Sequence, residues 1–161
     1  MIGSFRIINM VVKFRDYIER LLQLRLTNQH LQHQNFIIGN SSVDYDSFFG
    51  SLIYGYMKFL LYNTLFIPLI DCPKQEVPLR FEITYVLNRI GVHHEHLYYH
   101  HEFPDLEKRT NVLLYDHNVR EGIQPAEIVD HHFMKDKACP RTIVAHCASA
   151  MTLLYYSLHP E

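Results

Sequence analysis

An α/β domain built on a mostly parallel sheet is the fold class this sequence predicts, and three observations predict it. Short apolar, β-rich runs alternate along the chain with stretches of helical periodicity, the pattern of strands joined by right-handed crossovers. The chain has 161 residues, 48% hydrophobic and 20% charged, enough for one domain with a real core and without repeats or low-complexity tracts. Acids and histidines also cluster directly after three of the apolar runs, at the carboxyl ends of strands where ligands collect in parallel sheets.

The elements follow in order. Over residues 11–26, Phe14, Ile18, Leu21 and Leu22 recur at helical spacing with charges opposite, which predicts an amphipathic helix within an N-terminal segment, 1–34, ahead of a main domain, 35–161. Phe36-Ile37-Ile38, ended by Gly39, predicts a first core strand. Ser47 is placed to cap a second helix whose positions Phe48, Phe49, Leu52, Ile53, Tyr56 and Leu60 are apolar nearly all round, so that helix is buried. Residues 65–70 predict a strand that Pro68 assigns to a sheet edge, and residues 71–78 a turn. Leu79, Ile83, Val86, Leu87 and Ile90 then keep helical spacing up to a stop at Gly91. Residues 97–99 read as a short edge strand, 112–115 as a central one, 127–129 and 142–145 as two more, and 149–158 as a closing apolar helix.

Composition excludes some functions. A net charge of -2 gives no broad attraction for polyanions, so a phosphate-rich substrate must be held by local cations or by metal. The aromatic residues interleave with few cations, which argues against a nucleic-acid stacking platform. Cys72, Cys139 and Cys147 are unevenly spaced and form no CxxC pair, so buried thiols in a reducing compartment are expected. The apolar residues 7–12 run at once into Lys13, Arg15, Asp16, Glu19 and Arg20 with no cleavage site, and no stretch approaches a membrane span; a soluble cytoplasmic protein is the expectation.

Three segments carry chemistry. In Asn40-Ser41-Ser42-Val43-Asp44-Tyr45-Asp46, two carboxylates two residues apart can turn to one point with a neutral oxygen from Asn40, a hard donor set that suits Mg²⁺ or Mn²⁺. Taken alone, it reads more often as an Asx-rich turn in which Asp46 caps the next helix. Asp116-His117-Asn118 ends the central strand and is by itself also a common turn opening. Asp130-His131-His132 is stronger, because adjacent histidines after an acid at a strand end have no evident packing role. His93-His94-Glu95-His96 and His100-His101-Glu102 do not have HExxH spacing and read as an exposed histidine cluster rather than a zinc site. Lys135, Lys137 and Arg141 read as a solvated charge run within reach of a phosphate.

Val129-Asp130-His131-His132 together with Gly39-Asn40-x3-Asp44-x-Asp46-Ser47 resembles the signature of the DHH phosphoesterase superfamily. Asn40 in place of a histidine, Ile67-Pro68-Leu69-Ile70-Asp71-x-Pro73, Leu79-Arg80, Tyr85-Val86-Leu87, Asp130-His131-His132-Phe133 and, more loosely, Cys147-Ala148-Ser149 are similar to the N-terminal domain of fungal cytosolic exopolyphosphatases. The resemblance implies a Rossmann-like sheet with helices on both faces and two divalent cations, Mg²⁺ or Mn²⁺. Asn40 and Asp44 would serve one ion, Asp46 and His131 the other, and Asp116 would bridge them. His132 would face the phosphate as a catalytic and substrate-binding group, Asp130 would orient the histidines, and Arg80 would contact the anion. The reaction implied is release of orthophosphate from polyphosphate or another small phosphoanhydride. Pyrophosphate hydrolysis and small-nucleotide phosphodiesterase activity are the enzyme alternatives. Family members continue into a strand bearing a further aspartate and into a basic second domain. The sequence ends at Glu161 before either, so the expectation is an incomplete domain of weak or lost activity, or a binding module whose closing helix is covered by a partner chain.

Overall fold

β-branched and aromatic side chains favour the pleated, doubly covered environment of a parallel sheet, and the strands form where the sequence places them. The computed structural model describes residues 2–27, 34–109, 111–135, 139–145 and 147–158. The strands are β1 (Asn35–Ile38), β2 (Phe66–Ile70), β3 (Tyr98–Tyr99), β4 (Val112–Tyr115), β5 (Glu127–Asp130) and β6 (Thr142–Val144). They form one six-stranded sheet in the order β3-β2-β1-β4-β5-β6, every pair parallel. This is the doubly wound, Rossmann-like order, and it places the topological switch between β1 and β4, where chain connections diverge and leave a crevice.

Register puts Phe36 between Ile67 and Val112, and Ile38 between Leu69 and Leu114. On one face Ile37, Leu113, Tyr115 and Val129 pack with Tyr54 and Met57 of α2 (Tyr45–Tyr62) and with Leu153 and Leu154 of α4 (Ala150–Leu158). The alternating residues join the larger core, where the ring of Phe36 meets Phe103 at 5.0 Å. Helix α1 (Ile2–Thr27) docks through Tyr17, Ile18 and Leu21, and the Tyr17 hydroxyl donates to the Phe66 carbonyl at 2.9 Å. Among the described residues no helix is long and apolar enough to cross a membrane.

Four local expectations are corrected. Asp44, not Ser47, caps α2: its carboxylate accepts from the Ser47 amide at 2.9 Å, and Ser47 lies inside the helix. Pro68 lies in an interior strand opposite Ile37, because β3 is only two residues long and pairs with β2 from Leu69 onward. Leu79 is 83% exposed in a 3₁₀ turn (Lys74–Leu79), so α3 (Phe81–Ile90) buries only Ile83 and Leu87 before Gly91 ends it at φ 70°. α1 extends N-terminally of the predicted start, to Ile2.

Gly50 fixes how closely α2 approaches β4, since a Cβ there would run into the ring of Tyr115, the residue before Asp116. Gly50→Ala is expected to lower stability by about 1–3 kcal/mol through overpacking, against the slight gain a helical alanine otherwise brings. Chemical denaturation measures it; a stabilised variant would mean that the helix can shift away without loss.

Candidate functional site

All three sequence segments arrive at the carboxyl edge of the sheet because β1, β4 and β5 are consecutive neighbours there. Gly39 and Asn40 leave β1, Asp116 leaves β4, and Asp130 ends β5. A cleft of about 540 Å³ opens at this edge, lined by Asn40, Asp116, Asp130, His131, His132 and Lys135 among others. The switch-point rule therefore locates the site that the motifs propose.

Asp116 stands at the centre. Its backbone takes the left-handed conformation, φ 63°, which aspartate tolerates better than most residues, and its amide donates to the Val129 carbonyl at 2.8 Å. The side chain is 2% exposed; Oδ2 accepts from Asn40 Nδ2 at 2.5 Å, while among the described residues Oδ1 accepts no hydrogen bond. His131 Nε2 lies 3.1 Å from that oxygen. Burial pushes the Asp116 carboxyl up to about 7, with the charges of Asp46 and Asp44 adding to the effect and the two histidines opposing it. An orphaned buried carboxylate oxygen in a pocket of further carboxylates is an environment short of positive charge.

His131 supplies the complementary half. Its Nδ1 donates to the Cys147 carbonyl at 2.9 Å, since a carbonyl can only accept, so that in the neutral ring the Nε2 lone pair is the one toward Asp116. His132 is half exposed, its Nδ1 2.7 Å from Asp130 Oδ1, and this hydrogen bond raises its pKa above the ordinary histidine value. Asp130 is fully buried; burial raises its carboxyl, but the bonds from His132 and from Asn118 outweigh it and hold it below the usual range. Asp116, His131 and His132 bring one donor atom each within 4.8 Å of one another, and among the described residues no other group of three acids, histidines or cysteines does so. Within the histidine cluster at 93–102, Glu102 pairs with Arg25 and His100 with Asp71.

The remaining predicted residues surround this centre in other roles. Asn40 holds Asp116 through its amide and accepts from the Ser42 amide at 3.0 Å. Asp44 is exposed and accepts from Ser42 Oγ at 3.0 Å and from Ser47 N at 2.9 Å. Both oxygens of Asp46 accept from the N-terminal turn of α4, from Ser149 Oγ and Ala150 N at 2.8 Å and Met151 N at 3.1 Å, and His131 Nε2 lies 3.8 Å from it. A carboxylate there satisfies orphan amides and the helix dipole. Arg80 directs Nη1 to the Val43 carbonyl at 3.1 Å.

Asn118 is the residue that sequence reasoning left without a role. It is 5% exposed and ties the loops after β4 and β5 together: Nδ2 donates to Asp130 Oδ2 at 2.5 Å and to the Phe133 carbonyl at 2.9 Å, and Oδ1 accepts from the Lys135 amide at 2.9 Å. Its position two residues after Asp116 was the only available sign.

The donor set of a buried carboxylate and an imidazole Nε2, with an oxygen left unpartnered, fits a divalent cation. Comparison with known proteins relates the chain to curated proteins. No family model matches the chain. Curated proteins do, among them one from Schizosaccharomyces pombe, named "Putative exopolyphosphatase", which is 30% identical over 156 residues, covering 87% of this chain and 40% of that protein. Another, from Homo sapiens and named "Exopolyphosphatase PRUNE1", is 25% identical over 149 residues, covering 80% of this chain and 32% of that protein. The chain thus spans well under half the length of these relatives.

Proposed function

We propose, from the kinship of this chain to exopolyphosphatases of the DHH type, that it hydrolyses terminal phosphoanhydride bonds with the help of divalent cations. The single observation that carries the reading is the buried Oδ1 of Asp116 at the switch point of the sheet, without a hydrogen bond among the described residues and 3.1 Å from His131 Nε2. Asp116 and His131 would hold the cation, with Asn40, Asp44 and Asp46 close enough to complete two ion positions after rearrangement. Mg²⁺ or Mn²⁺ bound there would supply the positive charge that polarises a phosphoryl group and activates water.

The chain's own residues have separable tasks. His131 keeps its Nε2 lone pair toward the site because its proton is committed to the Cys147 carbonyl. His132, its pKa raised by Asp130, carries a proton over a wider pH range and presents a charged donor to phosphoryl oxygens at the cleft mouth. Asp130 sets the orientation of His132, and Asn118 sets that of Asp130. Lys135 adds a cation on the cleft wall.

Phosphate release from polyphosphate, pyrophosphate and a cyclic dinucleotide, each with Mg²⁺, Mn²⁺ or chelator, tests this reading. The expected result is ion-dependent release from polyphosphate that falls roughly a hundred-fold or more in Asp116→Ala and His131→Ala. Preference for one of the other two substrates would move the assignment to a pyrophosphatase or a nucleotide phosphodiesterase. A folded wild type as silent as its variants would leave a binding module.

A further inference from the structure

Val43 is the strained point of the loop after β1. It is a β-branched residue at φ 49°, in the left-handed region that such side chains avoid, yet it is 2% exposed and packed into the main core. A conformation of this kind persists only where the surroundings over-determine it, and such positions concentrate at functional sites. Three contacts hold this one. The Val43 amide donates to the Asn40 carbonyl at 3.2 Å, the side chain is buried, and Arg80 Nη1 donates to the Val43 carbonyl at 3.1 Å from a residue 37 positions further along the chain. Arg80 is itself fixed, because its backbone amide donates to Val77 and its carbonyl accepts from Thr84 at the start of α3.

The residue after Val43 is Asp44, whose extended backbone and two side-chain bonds depend on the direction in which the chain leaves Val43. Relaxation of Val43 to a negative φ would swing the Val43–Asp44 peptide, and with it the carboxylate of Asp44 and the first turn of α2, which carries Asp46. We propose that Arg80 is a positioning residue for the candidate cation site: by clamping the Val43 carbonyl it keeps the loop in its strained conformation and so holds Asp44 and Asp46 at the edge of the cleft. The guanidinium acts through the backbone and not by touching substrate. The proposal rests on the cation-dependent reading of the site.

Glycine adopts positive φ without strain, so the clamp makes a prediction about a pair of substitutions. Arg80→Gln, Val43→Gly and the double variant would be compared in the full chain by thermal denaturation and by Mn²⁺ binding, read from the paramagnetic resonance of the free ion. Arg80→Gln is expected to melt lower and to weaken Mn²⁺ binding about ten-fold, while in the Val43→Gly background the same change weakens it only about two-fold. Arg80→Lys, which keeps the positive charge and a donor of longer reach than glutamine, should lie between and covers the case in which Arg80→Gln does not fold. Additive effects on melting and affinity would overturn the clamp, and unchanged Mn²⁺ affinity in a less stable Arg80→Gln would overturn the positioning role. A wild type that binds no Mn²⁺ would instead remove the cation-dependent reading, while the melting data alone still decide whether Arg80 holds Val43.

Discussion

Asp116→Asn is expected to make the ion-free protein more stable at pH 8 while abolishing the proposed cation-dependent activity. The sign follows from the raised pKa. In the folded chain this carboxyl titrates near 7, whereas in the unfolded chain it titrates near the ordinary aspartate value. The folded state therefore holds the proton more tightly. Above about pH 7 the buried charge opposes folding in full; as pH falls the folded state takes up its proton first, and the penalty shrinks until it is gone below about pH 4, where the unfolded carboxyl is protonated as well. An asparagine side chain is neutral throughout, so the advantage of the variant should be on the order of a few kcal/mol at pH 8 and near zero at about pH 3. Urea denaturation of both proteins in chelator across this range measures it. Saturating Mn²⁺ should reverse the order, because ion binding stabilises only the wild type by mass action. Equal stability of the two proteins at pH 8 in chelator would show that Asp116 is not the electrostatic defect the geometry describes. A residue that weakens the fold is the trade expected if Asp116 holds the proposed cation.

The second large effect lies at the opposite end of the strands. Lys58 of α2 and Glu127 of β5 form an ion pair at 2.6 Å, with side chains 8% and 7% exposed. The Tyr54 hydroxyl donates to the other carboxylate oxygen, and Arg141 approaches that oxygen at 3.3 Å from a side chain 56% exposed. Lys58→Met should cost about 3–5 kcal/mol, because a buried carboxylate then loses its buried counter-charge. Arg141→Met should cost under about 1 kcal/mol, since an exposed partner contributes little after screening. Burial, not the count of ion pairs, sets the difference. Comparable losses in both variants, measured by denaturation, would mean that Arg141 substitutes for Lys58. Neither change touches the cleft, so Mn²⁺ binding should survive in whatever fraction remains folded.

Much of this was legible in the chain. Alternation of apolar runs and helical stretches is enough to specify a parallel α/β sheet, since only that topology buries short all-apolar strands on both faces. The placement of Asp116 and of Asp130-His131-His132 after such strands was enough to bring them to one edge. The N-terminal cap of α2 was misread because Asp44 and Ser47 are both good capping residues, and local pattern does not decide between them. Pro68 was assigned to an edge because proline lacks a ladder donor; its interior position depends on how short its neighbour β3 turns out to be, a fact located thirty residues downstream. Spacing showed that Asp44 and Asp46 can converge. It did not show that both oxygens of Asp46 accept from α4 or that the carboxylate of Asp44 caps α2, because those competitors come from elements distant in sequence or from the helix the residue itself begins.

The sequence by itself determined the sheet, the edge at which its candidate ligands gather, and a resemblance readable in a few motifs, because strand periodicity and motif spacing are local properties. Only the tertiary structure decided that Asp116 is buried with an oxygen unanswered, that Asn118 ties two loops together, and that Arg80 faces a backbone carbonyl. Those facts depend on desolvation and on contacts between residues far apart in the chain, which no local pattern encodes.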